Sequence, residues 1–174
     1  MALNFKKLTA AIHYICEKAD KDKLPVDGIK LNKVLWYSDA HAYLARKGAS
    51  ITGETYIRKQ HGPVAKHNTV AIKALRSEGK VLPGKKHVDG KWVKCLDSVG
   101  AADKSLFQGE ELQIIDTVIK KVCDQETYAM SEKTHGEIWK IAKNGEEIPL
   151  RTIFVENLGE ISPEHIKIAL AGEW

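Results

Sequence analysis

Residues 28–46 read GIKLNKVLWYSDAHAYLAR, and this stretch decides the class of fold. Its apolar residues recur at steps of three and four, which is the spacing of one face of an α-helix. The inner stripe comprises Leu31, Val34, Leu35, Ser38, Ala42 and Ala45. Aromatic residues widen the apolar surface, and Gly48 follows where helices commonly end in a left-handed glycine. The stretch therefore predicts a central helix surrounded by protein.

The same periodicity predicts further helices on both sides of this segment. A first helix covers about residues 4–19 with Asn4 as its N-cap, and another covers about 109–124. A helix begins at Pro63, whose missing N–H suits a first helical turn, and ends near Ser77. Shorter helices are predicted at 126–132, at 134–143 and from Pro163 onward.

Two short β elements interrupt the helical pattern. Residues 55–59 form an extended segment that leads into the turn before Pro63. Residues 80–96 form a β-hairpin, because Asp89-Gly90 separates two strand-like runs and this dipeptide favours a tight two-residue turn. The predicted fold is mainly α: one compact domain over 1–174, with about six helices, this small hairpin and the extended segment.

The composition is that of an ordinary globular protein. Hydrophobic residues make up 43% of the chain and charged residues 29%, which argues against extended disorder. No apolar stretch approaches the roughly 20 residues that span a bilayer, and charged residues follow the N-terminus too soon for a secretory signal. Three widely spaced cysteines suggest buried, reduced thiols. We therefore expect a cytoplasmic protein that does not enter the membrane.

Charge is distributed unevenly along the chain. Residues 57–94 hold ten Lys and Arg against two acids, whereas residues 97–174 hold eight against fifteen. Such asymmetry favours an acidic or polyanionic partner for the middle of the chain. Alternatively, the two regions complement one another within the fold or within a homodimer.

Three segments in order resemble the Panacea domain of SocA-like antitoxins. The helix Ile29–Tyr37 is similar to the family's K-L-x-K-L-L-Y helix. Residues 51–56 and 59–64 resemble its extended segment and its G-P-V turn. Ser131, Thr134, His135 and Trp139 resemble its S-x-x-T-H-x-x-x-W pattern. Together and in this order, the resemblance covers about residues 5–153.

This resemblance implies an antitoxin that neutralises a cognate protein toxin by direct contact. Family members are paired with diverse toxins, so the resemblance does not identify the partner. It also implies two further associations, with a protease to which the toxin is delivered and with phage or prophage.

The sequence offers no catalytic, metal or cofactor site. The seven histidines are scattered and match no metal-binding spacing, although His61 and His67 lie only six residues apart. Glu132 and His135 fit helix capping better than acid–base chemistry. No Ser or Cys lies in a nucleophile motif, and there is no glycine-rich phosphate loop. We therefore expect a binding protein that is not an enzyme and has no cofactor.

Two binding surfaces are candidates. The first surrounds the turn before Pro63 and would contact the toxin; it comprises Tyr56, Arg58, Lys59, His61, Lys66 and His67. For these residues, partial burial of Tyr56 and an ordinary solvated face remain open alternatives. The second candidate surface would bind nucleic acid, since a helix followed by a basic hairpin has the order of a recognition helix and wing. It comprises Lys73, Arg76, Lys85, Lys86, Lys91, Trp92 and Lys94.

Overall fold

The computed structural model describes residues 2–88, 90–124 and 137–153. Within these ranges the helices are α1 (Phe5–Lys21), α2 (Gly28–Ala45), α3 (Asn68–Ser77), α4 (Gly109–Cys123) and α5 (Glu137–Ile141). The strands are β1 (Tyr56–Lys59), β2 (Gly62–Ala65), β3 (Val81–Val88) and β4 (Lys91–Ser98), and Leu150–Thr152 form a 3-10 turn. The helices predicted at 126–132 and from Pro163 lie outside the described residues.

Helix α2 lies at the centre of the described fold, as its apolar stripe predicts. It packs against α1, α4, β2 and the 3-10 turn, and most of its side chains are buried. Side-chain caps begin both α1 and α2: Asn4 accepts from the N–H of Lys7, and Asp27 accepts from that of Lys30. The predicted helices at 4–19, 28–46 and 109–124 are therefore confirmed within a few residues.

The prediction of a mainly α fold is wrong. The described residues contain two antiparallel two-stranded sheets beside five α-helices, so the fold is mixed α and β. The main error concerns residues 63–65, which we expected to form the start of a helix. Together with Gly62 they form β2, which pairs with β1, and α3 begins only at Asn68. Pro63 is tolerated because β2 is an edge strand. On the side away from β1 no further described strand pairs with β2 in this sheet, so the missing N–H of Pro63 costs no hydrogen bond there.

Strand β1 has a second neighbour on its other side. The N–H of Arg58 donates to the carbonyl of Glu146 at 2.8 Å, and the N–H of Ile148 donates to that of Tyr56 at 2.8 Å. Ile57 and Glu147 form an isolated antiparallel bridge. The segment after α5 therefore closes the open edge of β1.

The predicted hairpin at 80–96 is confirmed as β3 and β4, two residues longer at its end. Val88 pairs with Lys91, so two residues connect the strands, and Gly90 adopts a φ of +77° as a tight turn requires. Both β4 and α3 pack against α1, and α3 also borders β3. Among the described helices, none combines the length and the hydrophobicity of a membrane-spanning segment.

Candidate partner-binding surface

The residues of the first candidate surface lie on and beside the turn between β1 and β2. Lys59 pairs with Gly62, so Gln60 and His61 form a two-residue loop, and Gly62 supplies a φ of +103° after it. We call the set of Arg58, Lys59, His61, Lys66 and His67 the turn face. Lys59, His61 and Lys66 are exposed, whereas Arg58 and His67 are partly buried.

A buried lysine on α2 forms a hydrogen bond with this turn. Lys33 is only 1% exposed, and its ammonium donates to the backbone carbonyl of His61. Burial lowers the pKa of Lys33 to about 7. This contact connects the helix of the K-L-x-K pattern to the G-P-V turn. Lys33 lies within the K-L-x-K pattern, but a lysine is ordinarily a surface residue, so the pattern alone does not predict its burial or this contact.

Helix α5 holds the other side of the turn through Trp139. The guanidinium of Arg58 lies 4.2 Å from the centre of the Trp139 ring, and its Nε donates to the Trp139 carbonyl at 3.3 Å. The indole Nε1 in turn donates to the carbonyl of Lys59 at 3.0 Å. Arg58 is therefore held in place by a cation–π contact and a hydrogen bond. Ser131, Thr134 and His135 of the same pattern lie outside the described residues.

Tyr56 is a core residue and does not contribute to the exposed surface; its burial is the alternative that the sequence left open. Its ring is 1% exposed and lies edge-on to Trp36, with 5.0 Å between ring centres. Its hydroxyl donates to Asp39 at 2.8 Å. Asp39 is also buried and accepts from the N–H groups of Ile51 and Thr52 at 2.8 and 2.9 Å. This polar cluster ties the segment before β1 to α2.

His67 also makes contacts within the fold, through the buried side chain of Glu54. Its Nδ1 lies 2.9 Å from a carboxylate oxygen of Glu54, and its backbone N–H donates to the other oxygen at 3.2 Å. The side chain of Glu54 is fully buried, while that of His67 is 40% exposed. His67, the residue just before α3, is therefore held in place by Glu54 while part of its ring stays exposed to solvent.

A cavity of about 350 Å³ opens beside the turn face. It lies between the first turn of α2, the β1–β2 loop and the segment after α5. Its lining combines apolar and polar residues, namely Gly28, Ile29, Asn32, Lys59, Gln60, His61, Pro63, Val64 and Asn144.

The second candidate surface is only partly as expected. Lys73, Arg76, Lys85, Trp92 and Lys94 are exposed. Lys86 instead forms an ion pair with Asp20 at 2.6 Å on the side of the hairpin that faces α1. The side chain of Lys91 lies outside what the structure describes.

The thiols are poor candidates for chemistry. Burial raises the pKa of Cys16 to about 12 and that of Cys95 to about 11, so both remain protonated near neutral pH. All three cysteines are free, and Cys123 is partly buried. Within the described ranges, no three His, Cys, Asp or Glu side chains come close enough to hold a metal ion.

Comparison with known proteins gives one match. A family model described as "Antitoxin SocA-like, Panacea domain" matches residues 31–140, more than half of the chain. The matched region includes Lys33, the whole turn face and Trp139. No curated protein and no solved structure matches the chain.

Proposed function

Because the chain belongs to the family of SocA-like antitoxins with a Panacea domain, we propose that it neutralises a cognate protein toxin by binding it directly through the turn face. Direct binding requires a surface of defined shape and charge. It needs no reactive group, which agrees with the protonated thiols of Cys16 and Cys95.

The observation that carries the proposal is the rigid support of an exposed, cationic turn. Trp139 donates to the carbonyl just before the loop and Lys33 to one within it, and Glu54 holds the backbone where α3 begins. Binding costs less conformational entropy when the contact surface is already ordered. Exposed Lys59 and Lys66 would face acidic groups of the toxin.

The cavity beside the turn gives the proposed interface a place for an anchor. Residues that dominate binding are usually large side chains that fill a pocket and exclude water. Ile29, Pro63 and Val64 supply apolar walls here, while Lys59 and His61 border the opening. We expect a toxin side chain to occupy this cavity and the charged residues to orient it.

Co-expression with the adjacent reading frame tests the proposal. Arg58→Glu with Lys66→Glu should abolish rescue of growth, because like-charge contacts across an interface cost several kcal/mol. Lys59→Glu with Lys66→Glu reverses exposed charges without disturbing Trp139. Lys6→Glu with Lys120→Glu is the matched control, since these exposed lysines lie on α1 and α4. Unchanged rescue by both turn-face variants would remove this surface from the proposal.

A second measurement addresses delivery of the toxin to a protease, which would take place in the cytoplasm. We propose such delivery as an additional route of neutralisation. The half-life of the toxin should then shorten when the antitoxin is co-expressed and lengthen again when cytoplasmic proteases are inactivated. A constant half-life together with full rescue would restrict the function to direct binding.

A further inference from the structure

The basic hairpin is not explained by the proposed toxin interface, and its geometry creates a separate surface with α3. Lys85 pairs with Lys94, and His87 pairs with Trp92 two positions further along the ladder. Residues two apart along a strand share a face, so these four side chains lie on the same side of the hairpin. The same face includes Pro83 and Leu96 nearer its base.

This side of the hairpin meets α3. A cavity of about 330 Å³ lies between α3 and β3, and Lys73 and Arg76 line it together with Pro83. A second cavity of about 230 Å³ lies between Ile72 of α3 and Lys94 of β4. Cations therefore border the junction from both elements. We call the set of Lys73, Arg76, Lys85, Trp92 and Lys94 the α3–hairpin face.

The cations of this face form no close ion pair within the described part of the chain. None of its four cations lies within 4.0 Å of a carboxylate among the described residues, whereas Lys86, on the other side of the hairpin, is paired with Asp20. Lys85 and Lys94 lie directly opposite one another, and like charges in that position destabilise a hairpin. An anionic ligand would relieve this repulsion.

The face also presents an aromatic surface. Trp92 is 71% exposed. His87 contacts it edge-on, with 5.3 Å between ring centres and 61° between ring planes. One face of an exposed indole is a stacking platform for a nucleic-acid base, and such stacking tolerates any sequence.

We propose that the α3–hairpin face binds single-stranded nucleic acid, with phosphates along Lys73, Arg76, Lys85 and Lys94 and an unstacked base on Trp92. Single strands fit better than a duplex, because stacking on Trp92 needs a base that is already free. Asn68, which could read a base edge, is partly buried, and its Oδ1 is inaccessible to solvent. The proposal goes beyond toxin neutralisation and uses residues outside the turn face.

The salt dependence of the binding affinity tests the proposed contacts between cations and phosphates. Fluorescence anisotropy with labelled oligothymidylate and oligouridylate of about 12 nucleotides should give a plot of log affinity against log salt with a slope of about −3, for four phosphate contacts. Lys85→Ala with Lys94→Ala should reduce the slope to about −1.4. Lys6→Ala with Lys120→Ala removes the same charge elsewhere and should leave it near −3. An equal reduction in this control would overturn the proposal.

Substitution of Trp92 tests the proposed stacking of a base independently of charge. Trp92→Ala should weaken binding by roughly 5- to 100-fold without changing the salt slope, and Trp92→Phe should restore most of the affinity. An unchanged affinity in Trp92→Ala would overturn stacking, and tighter binding to a duplex of the same length would overturn the preference for single strands. Circular dichroism confirms folding of each variant.

The same variants separate this inference from the proposed function. Lys85→Ala with Lys94→Ala should still rescue growth from the toxin, because the turn face is intact. A different pair of results would overturn the proposal: this variant fails to rescue growth, and the unmodified protein does not bind nucleic acid. The α3–hairpin face would then be assigned to a protein partner.

Discussion

Replacement of Lys33 by methionine examines how a buried ammonium supports the turn face. Methionine is unbranched and fills a similar volume, so Lys33→Met removes the charge and the hydrogen bond to His61 with little change in packing. Because burial lowers the pKa of Lys33 to about 7, from 10.5 for an exposed lysine, the folded protein binds fewer protons than the unfolded chain between these values. Stability that depends on Lys33 must therefore rise with pH in this window.

The magnitude follows from the two pKa values. Between pH 7 and pH 9, the free energy of unfolding of the unmodified protein should rise by about 2 kcal/mol relative to Lys33→Met. Below pH 6 the difference should be nearly constant, because Lys33 is then protonated in both the folded and the unfolded states. Urea denaturation at one-unit pH intervals gives the required free energies.

The comparison between two proteins removes the contributions of other titrating groups. Cys16 and Cys95, whose raised pKa values reduce stability at higher pH, are present in both and cancel. Parallel pH profiles of the two proteins would refute the reasoning, since Lys33 would then keep an ordinary pKa. We also expect Lys33→Met to fold but to neutralise the toxin less well, because the carbonyl of His61 loses its donor.

Two further substitutions test the supports of the fold. Asp39→Ala should destabilise the protein by at least about 4 kcal/mol in urea denaturation, since it leaves several buried donors without an acceptor. Asp39→Asn keeps one acceptor oxygen and should cost clearly less; equal losses would contradict this role. Gly53→Ala should destabilise more than Gly100→Ala, although both glycines have a φ near +70°, because a Cβ at Gly53 would overlap the carbonyl oxygen of Ala2 and one at Gly100 meets open space. Equal melting temperatures for these two variants would contradict the overlap.

Local patterns in the sequence were sufficient to predict the long helices and the basic hairpin. The stripe of 28–46 and the cap at Asn4 act within a few residues of chain, and Asp89-Gly90 specifies a tight turn by itself. The strand pairing of β2 could not be predicted in this way. Pro63 fits both a first helical turn and an edge strand, and the pairing of β2 with β1 decides between them.

The position of the turn face could be predicted, but its supports could not. Exposure of Lys59, His61 and Lys66 follows from their polarity around a turn. Burial of Lys33 depends on contacts between α2 and a loop about thirty residues away, and a single sequence does not reveal such contacts. Burial of Tyr56, which the sequence left open, could not be decided for a related reason, because its acceptor Asp39 belongs to a different element.

The closure of β1 by residues 145–148 bears on how this domain can be shortened. A fragment that ended at residue 140, where the family match ends, would leave the backbone groups of Tyr56 and Arg58 without their partners. Bare strand edges recruit strands from other chains. Such a fragment should therefore self-associate in proportion to its concentration, even though every residue of the turn face would still be present.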